Sequence, residues 1–311
     1  MNSLLTVGSV AFDQIETPFG KTDKILGGAG TYISLSASNF NIKNFVVSVV
    51  GYDFPSEYLN LLSRKNIDIK GIEIKKEEKT FFWSGRYHQN MNVRDTLITE
   101  LNSLASFNPV LPEEYKNVDV VVLGNLTPIV QRQVIEQLSS RPNLIIMDTM
   151  NYWMDVMFDE LIKTIEMVDV IAINEDEVRQ LAGEYNIISA AKKVIALGPK
   201  YVIVKKGEHG AFIFSKNDLF YAPAYPLENV LDPTGAGDTF AGGFAGYLAQ
   251  TNDFSFENMK NAIVVASSLA SISVEGFGTS KIQNFEKSEL LSRIKIFEKM
   301  TQFKFSESNI L

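Results

Sequence analysis

Short apolar runs, each closed by a small or polar residue, recur along the chain: LLTVG at 4–8, FVVSVVG at 45–51, VDVVVLGN at 118–125, NLIIMD at 143–148, VDVIAIN at 168–174 and YVIVKKG at 201–207. They are rich in Val and Ile and lack a two-residue alternation, so they predict strands buried on both faces of a sheet. Between them, the stretches 56–64, 128–139, 175–183 and 187–197 carry helical spacing. Strand and helix in turn predict an α/β protein, a doubly wound, mostly parallel sheet with helices on both faces. Two segments break this rhythm. The first, 12–26, is polar and turn-prone. The second, 71–95, contains TFFWSGRYH, which alternates. Phe81, Trp83 and Tyr87 fall on one face and Phe82, Ser84, Arg86 and His88 on the other, as in a half-exposed strand. Such strands do not suit the inside of a parallel sheet, and predict a small antiparallel lobe able to cover a site as a lid. There is no internal repeat or low-complexity linker, and 285–311 reads as a helix with a polar tail.

Composition narrows the function. With 311 residues, 45% of them hydrophobic, the chain can bury one large core. A net charge of −8 argues against a nucleic-acid or anionic-membrane partner, which both need basic surface. There is no cysteine and there are only two histidines, so disulfides and the usual zinc sites are excluded. The start MNSLLTVGSVAFD lacks the basic start and apolar core of a signal peptide, and no window approaches the ~20 apolar residues of a membrane span. The expected location is cytoplasmic.

The chemistry concentrates in LDPTGAGDTFAGGF, residues 231–244. Phe240, Phe244 and Leu248 recur at helical spacing, which predicts a helix starting at about Asp238. Three tiny residues before it, Gly235, Ala236 and Gly237, let backbone N–H groups converge where the helix dipole is positive, an anion cradle. A carboxylate at that mouth would repel phosphate unless it has a task, such as accepting the proton of a substrate hydroxyl. Asp238 as a helix cap, with the glycines serving packing, is the competing reading.

DPTGAGDTFAGGF closely resembles the C-terminal signature of the ribokinase-like carbohydrate and nucleoside kinases, the PfkB family. The resemblance spans roughly residues 4 to 280. It implies one ribokinase-like domain over 1–311 with a β lid formed by about 12–26 and 71–97. It also implies transfer of the γ-phosphoryl of Mg-ATP to a hydroxyl of a sugar, polyol or nucleoside. Asp238 is then the base and the 235–237 backbone the anion hole.

Other segments resemble the same family. VGSVAFD is similar to its opening strand, ending in a substrate-binding aspartate, here Asp13, and LGGAGTY to its paired-glycine element, Gly27 and Gly28. Many members carry an asparagine where this chain has Tyr32; the ring either stacks on the substrate or packs in the helix starting there. INEDE resembles an element placing Asn174 and Glu177 near the phosphates and a hydrated magnesium ion; the same residues also read as a capping box. In VIVKKGEHGA, Gly207 and Gly210 match a nucleotide-side turn, while Lys205 replaces a threonine. Lys205 either contacts a phosphate or is solvated at a strand end; His209 reads as an exposed turn residue. NAIVVASSLASISVEG is similar to the helix flanking the adenine, with Ala266 and Ser267 leaving room for a ring. The following EGFGTS, with Asp232 and Thr234, corresponds to a region that holds a monovalent cation in many members, so potassium is a further expectation. DTMNYW puts Asp148 and Asn151 near the inter-strand crevice. Asp13, Asn125, Asp148 and Asn174 are expected at strand ends, where open α/β sheets bind ligands. Asn92 and Arg94 follow the lid strand and either reach the substrate or lie on a solvated edge. The resemblance also implies a homodimer through the lid.

A regulator that keeps the fold without the chemistry is the alternative. The intact Asp238, Gly235 and Gly237 speak against it. A dinucleotide oxidoreductase or Walker-type enzyme lacks its glycine motif here.

Overall fold

The strands follow in chain order as β1 (Ser3–Val7), β2 (Ala11–Thr17), β3 (Gly20–Lys21), β4 (Ile25–Gly27), β5 (Lys43–Gly51), β6 (Ile67–Lys75) and β7 (Phe82–Tyr87), then β8 (Arg94–Glu100), β9 (Val120–Leu123), β10 (Leu144–Met147) and β11 (Val170–Asn174), and finally β12 (Tyr201–Lys205), β13 (Ala211–Phe214) and β14 (Leu219–Ala222). This is a computed structural model, and it describes residues 1–302. Every predicted apolar run lies in one nine-stranded sheet of order β14-β13-β12-β11-β10-β9-β1-β5-β6. From β12 to β6 all neighbours are parallel, and β13 and β14 add an antiparallel edge.

The runs are apolar throughout because both faces are covered. One core packs Leu5, Val121, Ile145, Ile171 and Val202 under helices that include Phe158–Ile165 and Ile187–Ile195. The other packs Leu4, Val120, Ile146 and Ile203 under Ala236–Thr251 and Phe256–Ser273. The helices are seen at Ser56–Arg64, Pro128–Glu136, Glu175–Ala182 and Ile187–Ile195, close to the stretches with helical spacing. Among the described residues no helix is long and apolar enough to cross a membrane. The expected C-terminal helix is Lys287–Thr301, and the rest of the predicted polar tail lies outside the described residues.

The segments that break the rhythm form a second, five-stranded sheet, β3-β2-β7-β8 with β4 also on β2. It differs from the expected lobe in two ways. The pair β2–β7 is parallel, so the sheet is mixed rather than antiparallel. Residues 67–75 belong to the large sheet through β5, so the small one draws on 82–100 rather than starting at 71. Nor does β7 divide cleanly into a buried and an exposed face. Phe82 is buried beside Phe12 and Phe54, while on the other face the Trp83 ring covers Gly85. As an inner strand between β2 and β8 it buries Phe82, Ser84, Gly85 and Tyr87, which come from both faces, and leaves Arg86 exposed.

Candidate active site

Asp13 sits inside β2 of the small sheet, not at the end of a main-sheet strand as expected. The chain leaves β1 at Gly8, whose missing side chain lets Gly30 approach; a Cβ there would be 2.7 Å from the Gly30 nitrogen. Asp13 is then held by the paired glycines. A Cβ on Gly27 would lie 1.9 Å from its carboxylate, and the Gly28 N–H, on backbone with φ of 91°, donates to it at 3.4 Å. Burial, and then the charges of Asp232 and Asp238, push Asp13 up to about 7.

On the opposite wall, the helix Ala236–Thr251 begins two residues before the expected Asp238. Gly235 is its cap in the left-handed conformation, with φ of 71°, which places Asp238 in the first turn. The Ala236 N–H is spent on the Pro233 carbonyl at 3.1 Å, so the cradle differs from the expected Gly235–Ala236–Gly237 set. Among the described residues the N–H groups of Gly235, Gly237 and Asp238 have no protein acceptor and remain for an anion. The following small residues serve packing, as expected. A Cβ on Gly242 would be 2.2 Å from the Ile33 carbonyl oxygen, and one on Gly243 2.8 Å from Leu269. The helix is thereby pressed between its two neighbours, and Asp238 is fixed from behind.

Asp238 is a carboxylate pushed up to about 7 by burial and the Asp148 charge, against the pull of Lys205 and Arg94. A carboxylate raised in this way is able to exchange a proton near neutral pH. Glu177 is likewise pushed up to about 7, by burial and then Asp148. Its Oε2 accepts the Asn174 N–H at 2.8 Å while Asn174 accepts from 176 and 177, so the capping-box reading is realised. Lys205 ends β12 and reaches back over β11 to Asp148, at 3.4 Å from both carboxylate oxygens. It is not solvated. Burial would lower its pKa, but Asp148, Glu177 and Asp238 outweigh that and raise it.

The hairpin of the small sheet closes over this cluster. The Tyr87 hydroxyl meets Thr234 Oγ1 at 3.2 Å, and Arg94 lies with its charge bearing on Asp13, Glu177 and Asp238. Asn92 crosses to the turn at 207–210, its Nδ2 donating to Glu208 Oε1 at 3.1 Å above Gly207, where a Cβ would clash at 2.5 Å. It therefore touches that turn rather than the pocket around Asp13. Gly210, with φ of 95°, lets the same turn pass the Ala222 carbonyl, and His209 is exposed as expected.

Several expected ligands serve the fold instead. Ala266 is wholly buried between the two long helices, facing Gly243, so it leaves no room for a ring. Asp232 Oδ1 accepts the Thr234 N–H and Oδ2 the Gly278 N–H, so both oxygens tie loops together. Tyr32 is 1% exposed with its ring flat against Gly235, so it does not stack on a ligand. Its hydroxyl has no partner, and burial followed by the Asp13 and Asp232 charges raises it well above the usual phenol range. Asn125 is held by Trp153 and Met150, and Asn151 is exposed. For magnesium, no group of three or more metal-ligating side chains exists among the described residues. A half-buried Glu177 under the charge of Asp148 fits an ion held through water and phosphate oxygens rather than in a protein cage. Asp148 is the residue that sequence reasoning undervalued; its strand-end position was visible, its lysine partner was not.

The sequence pattern of the pfkB family carbohydrate kinases matches residues 1–284. The chain belongs to this family. A cytidine kinase of Thermococcus kodakarensis is 30% identical over 79% of this chain and 89% of its own. A nucleoside kinase of Methanothermobacter thermautotrophicus is 26% identical over 89% of this chain and 90% of its own. Among solved structures, an Escherichia coli ribokinase-II candidate with ATP and Mg2+ bound superposes with a TM-score of 0.79 at 20% identity, over 96% of this chain and all of that one (100%). This pfkB family member is thus a sugar or nucleoside kinase with a ribokinase-like fold.

Proposed function

We propose that this kinase transfers the γ-phosphoryl of Mg-ATP to a hydroxyl of a nucleoside, with Asp238 as general base. The observation that carries this is the meeting of a proton-accepting carboxylate with unpartnered N–H groups at one helix start, across from Asp13. The acceptor hydroxyl lies against Asp238, which removes its proton as the oxygen–phosphorus bond forms. The bond from the γ-phosphorus to the β–γ bridging oxygen breaks, and the electron pair leaves with ADP. The N–H groups of Gly235 and Gly237 hold the phosphoryl oxygens, where charge is greatest in the transition state. Arg94, reaching down from the hairpin, adds positive charge as the lid excludes water. Asp13, presented by Gly27 and Gly28, accepts from other acceptor hydroxyls. Asn174 and the turn at Gly207 and Gly210 lie on the nucleotide side. Magnesium at Glu177 would neutralise phosphate charge.

The nucleoside reading is supported by the names of the two relatives, a cytidine kinase and a nucleoside kinase. A panel of nucleosides and free sugars with Mg-ATP, followed by ADP release and product mass, tests it. Phosphorylated nucleosides are expected; turnover of free sugars alone would overturn the acceptor assignment, and no turnover of any acceptor the donor assignment. The outer edge of β8 is open, with Leu97 and Ile98 exposed at 46% and 43%. It supports a homodimer through the lid. Sedimentation is expected to show a dimer that Leu97→Glu converts to monomer, and a monomeric wild type would end this reading.

A further inference from the structure

Lys205 and Asp148 form a largely buried pair, their side chains 17% and 12% exposed, whose geometry is unlike that of a structural ion pair. The ammonium is 3.4 Å from each carboxylate oxygen, well beyond the roughly 2.7–2.9 Å of a tight charge-assisted bond. An ammonium has three N–H donors, and among the described residues Asp148 is the only acceptor of Lys205. Donors are therefore left over on a side chain enclosed by the site. They lie at the anion cradle: a Cβ on Gly237 would be 3.1 Å from Lys205 Nζ and 3.8 Å from Cδ and Cε. Asp148 is itself fixed, since its Oδ1 accepts the Thr149 N–H at 2.9 Å and Gln131 holds its carbonyl at 2.9 Å. A buried ion pair is weak evidence for stability, because apolar packing would serve as well.

We propose that Asp148 is a positioning residue that holds the Lys205 ammonium across β11 beside Gly237, from where it bonds a phosphate of the entering nucleotide. Asp148 acts only through Lys205; Lys205 touches the nucleotide. The lysine stands where the family resemblance expects a threonine, so this chain sets a charge where a neutral hydroxyl would give one hydrogen bond. A lone lysine there would swing toward Glu177 or Asp238, both of which bear on it. A fixed carboxylate on the far side keeps it off the base, and the long contact lets it move to phosphate without breaking a strong bond.

The inference rests on ATP as the phosphoryl donor, and wild-type turnover with the acceptor panel decides that separately. The test is a double-mutant cycle of Lys205→Met and Asp148→Asn, read as kcat and KM for ATP and as binding of a non-hydrolysable ATP analogue. Lys205→Met is expected to lower kcat by about 10²-fold, the loss typical of one preorganised donor, and to weaken analogue binding. Asp148→Asn is expected to lower kcat by about 10-fold, as partners of ligand residues do, and to weaken analogue binding less than Lys205→Met does. Asp148→Glu restores part of that loss. In the Lys205→Met background Asp148→Asn should add almost nothing. Losses that multiply, or a raised magnesium requirement in Asp148→Asn, would overturn the proposal by making Asp148 an independent or metal-binding group. If Asp148→Asn fails to fold, unchanged analogue binding by Lys205→Met alone is enough to overturn it.

Discussion

Asp238→Asn is expected to lower kcat by about 10²–10⁴-fold, the range for loss of a positioned general base, while leaving ATP binding near its wild-type value. Asparagine keeps the shape of the side chain and the start of the helix, so the Gly235 and Gly237 N–H groups stay in place. What disappears is the acceptor for the proton. The pH profile separates this from a structural effect. In the wild type, kcat at saturating acceptor should fall as pH drops through about 7, because Asp238 is raised to that value by burial and by Asp148. In the variant that fall should vanish from the residual rate. Stability moves the other way. A carboxylate whose folded pKa is raised from 3.8 to about 7 contributes stability at low pH that is lost as pH rises through about 7. The variant should therefore melt no lower than the wild type at pH 8, with the difference shrinking toward pH 4. A variant with near-normal kcat, or one that melts well below wild type at pH 8, would remove Asp238 from the role of buried base.

Gly235→Ala is expected to cost about 10²-fold in kcat/KM, the scale of a misplacement of about 1 Å at a reacting centre. Two effects coincide there. The backbone is left-handed, with φ of 71°, where an L-residue costs roughly 1–2 kcal/mol. A Cβ would also fall 2.4–2.5 Å from three atoms of the buried Tyr32 ring. Neither the ring, 1% exposed in the core, nor the cap of a 16-residue helix yields easily, so the cradle has to move. Steady-state kinetics of Gly235→Ala and of Gly235→Ala with Tyr32→Ala divide the two effects. Removing the ring should recover part of the loss and leave the backbone part. If the single variant is as active as the wild type, the Gly235 N–H does not hold the transferring group.

The two predictions depend on different kinds of information. Asp238 and its glycines stood out as residues, because a carboxylate at an anion-binding helix start would repel the anion unless it has a task, with capping as the competing reading. Gly27, Gly28, Asn174 and Glu177 were likewise legible as turn and cap chemistry. Which of them converge was not. The reach of Lys205 to Asp148 spans three neighbouring strands and 57 residues of sequence, and no local spacing encodes it. Ala266 and Tyr32 misled for a related reason. A small residue and an aromatic one both suit a ligand, and only packing shows that Ala266 faces Gly243 and that Tyr32 lies under Gly235.

The sequence by itself determined the sheet, the helices and the chemical character of the cradle, because those depend on periodicity and on residues close along the chain. Tertiary structure alone decided the mixed pairing of the small sheet, the placement of Asp13 within β2 and the bearing of the Arg94 charge on the carboxylates. It also decided the affinity of Asp238 for its proton. That affinity comes from burial and from the charge of Asp148, which is remote in sequence, and field and desolvation depend on distance in space.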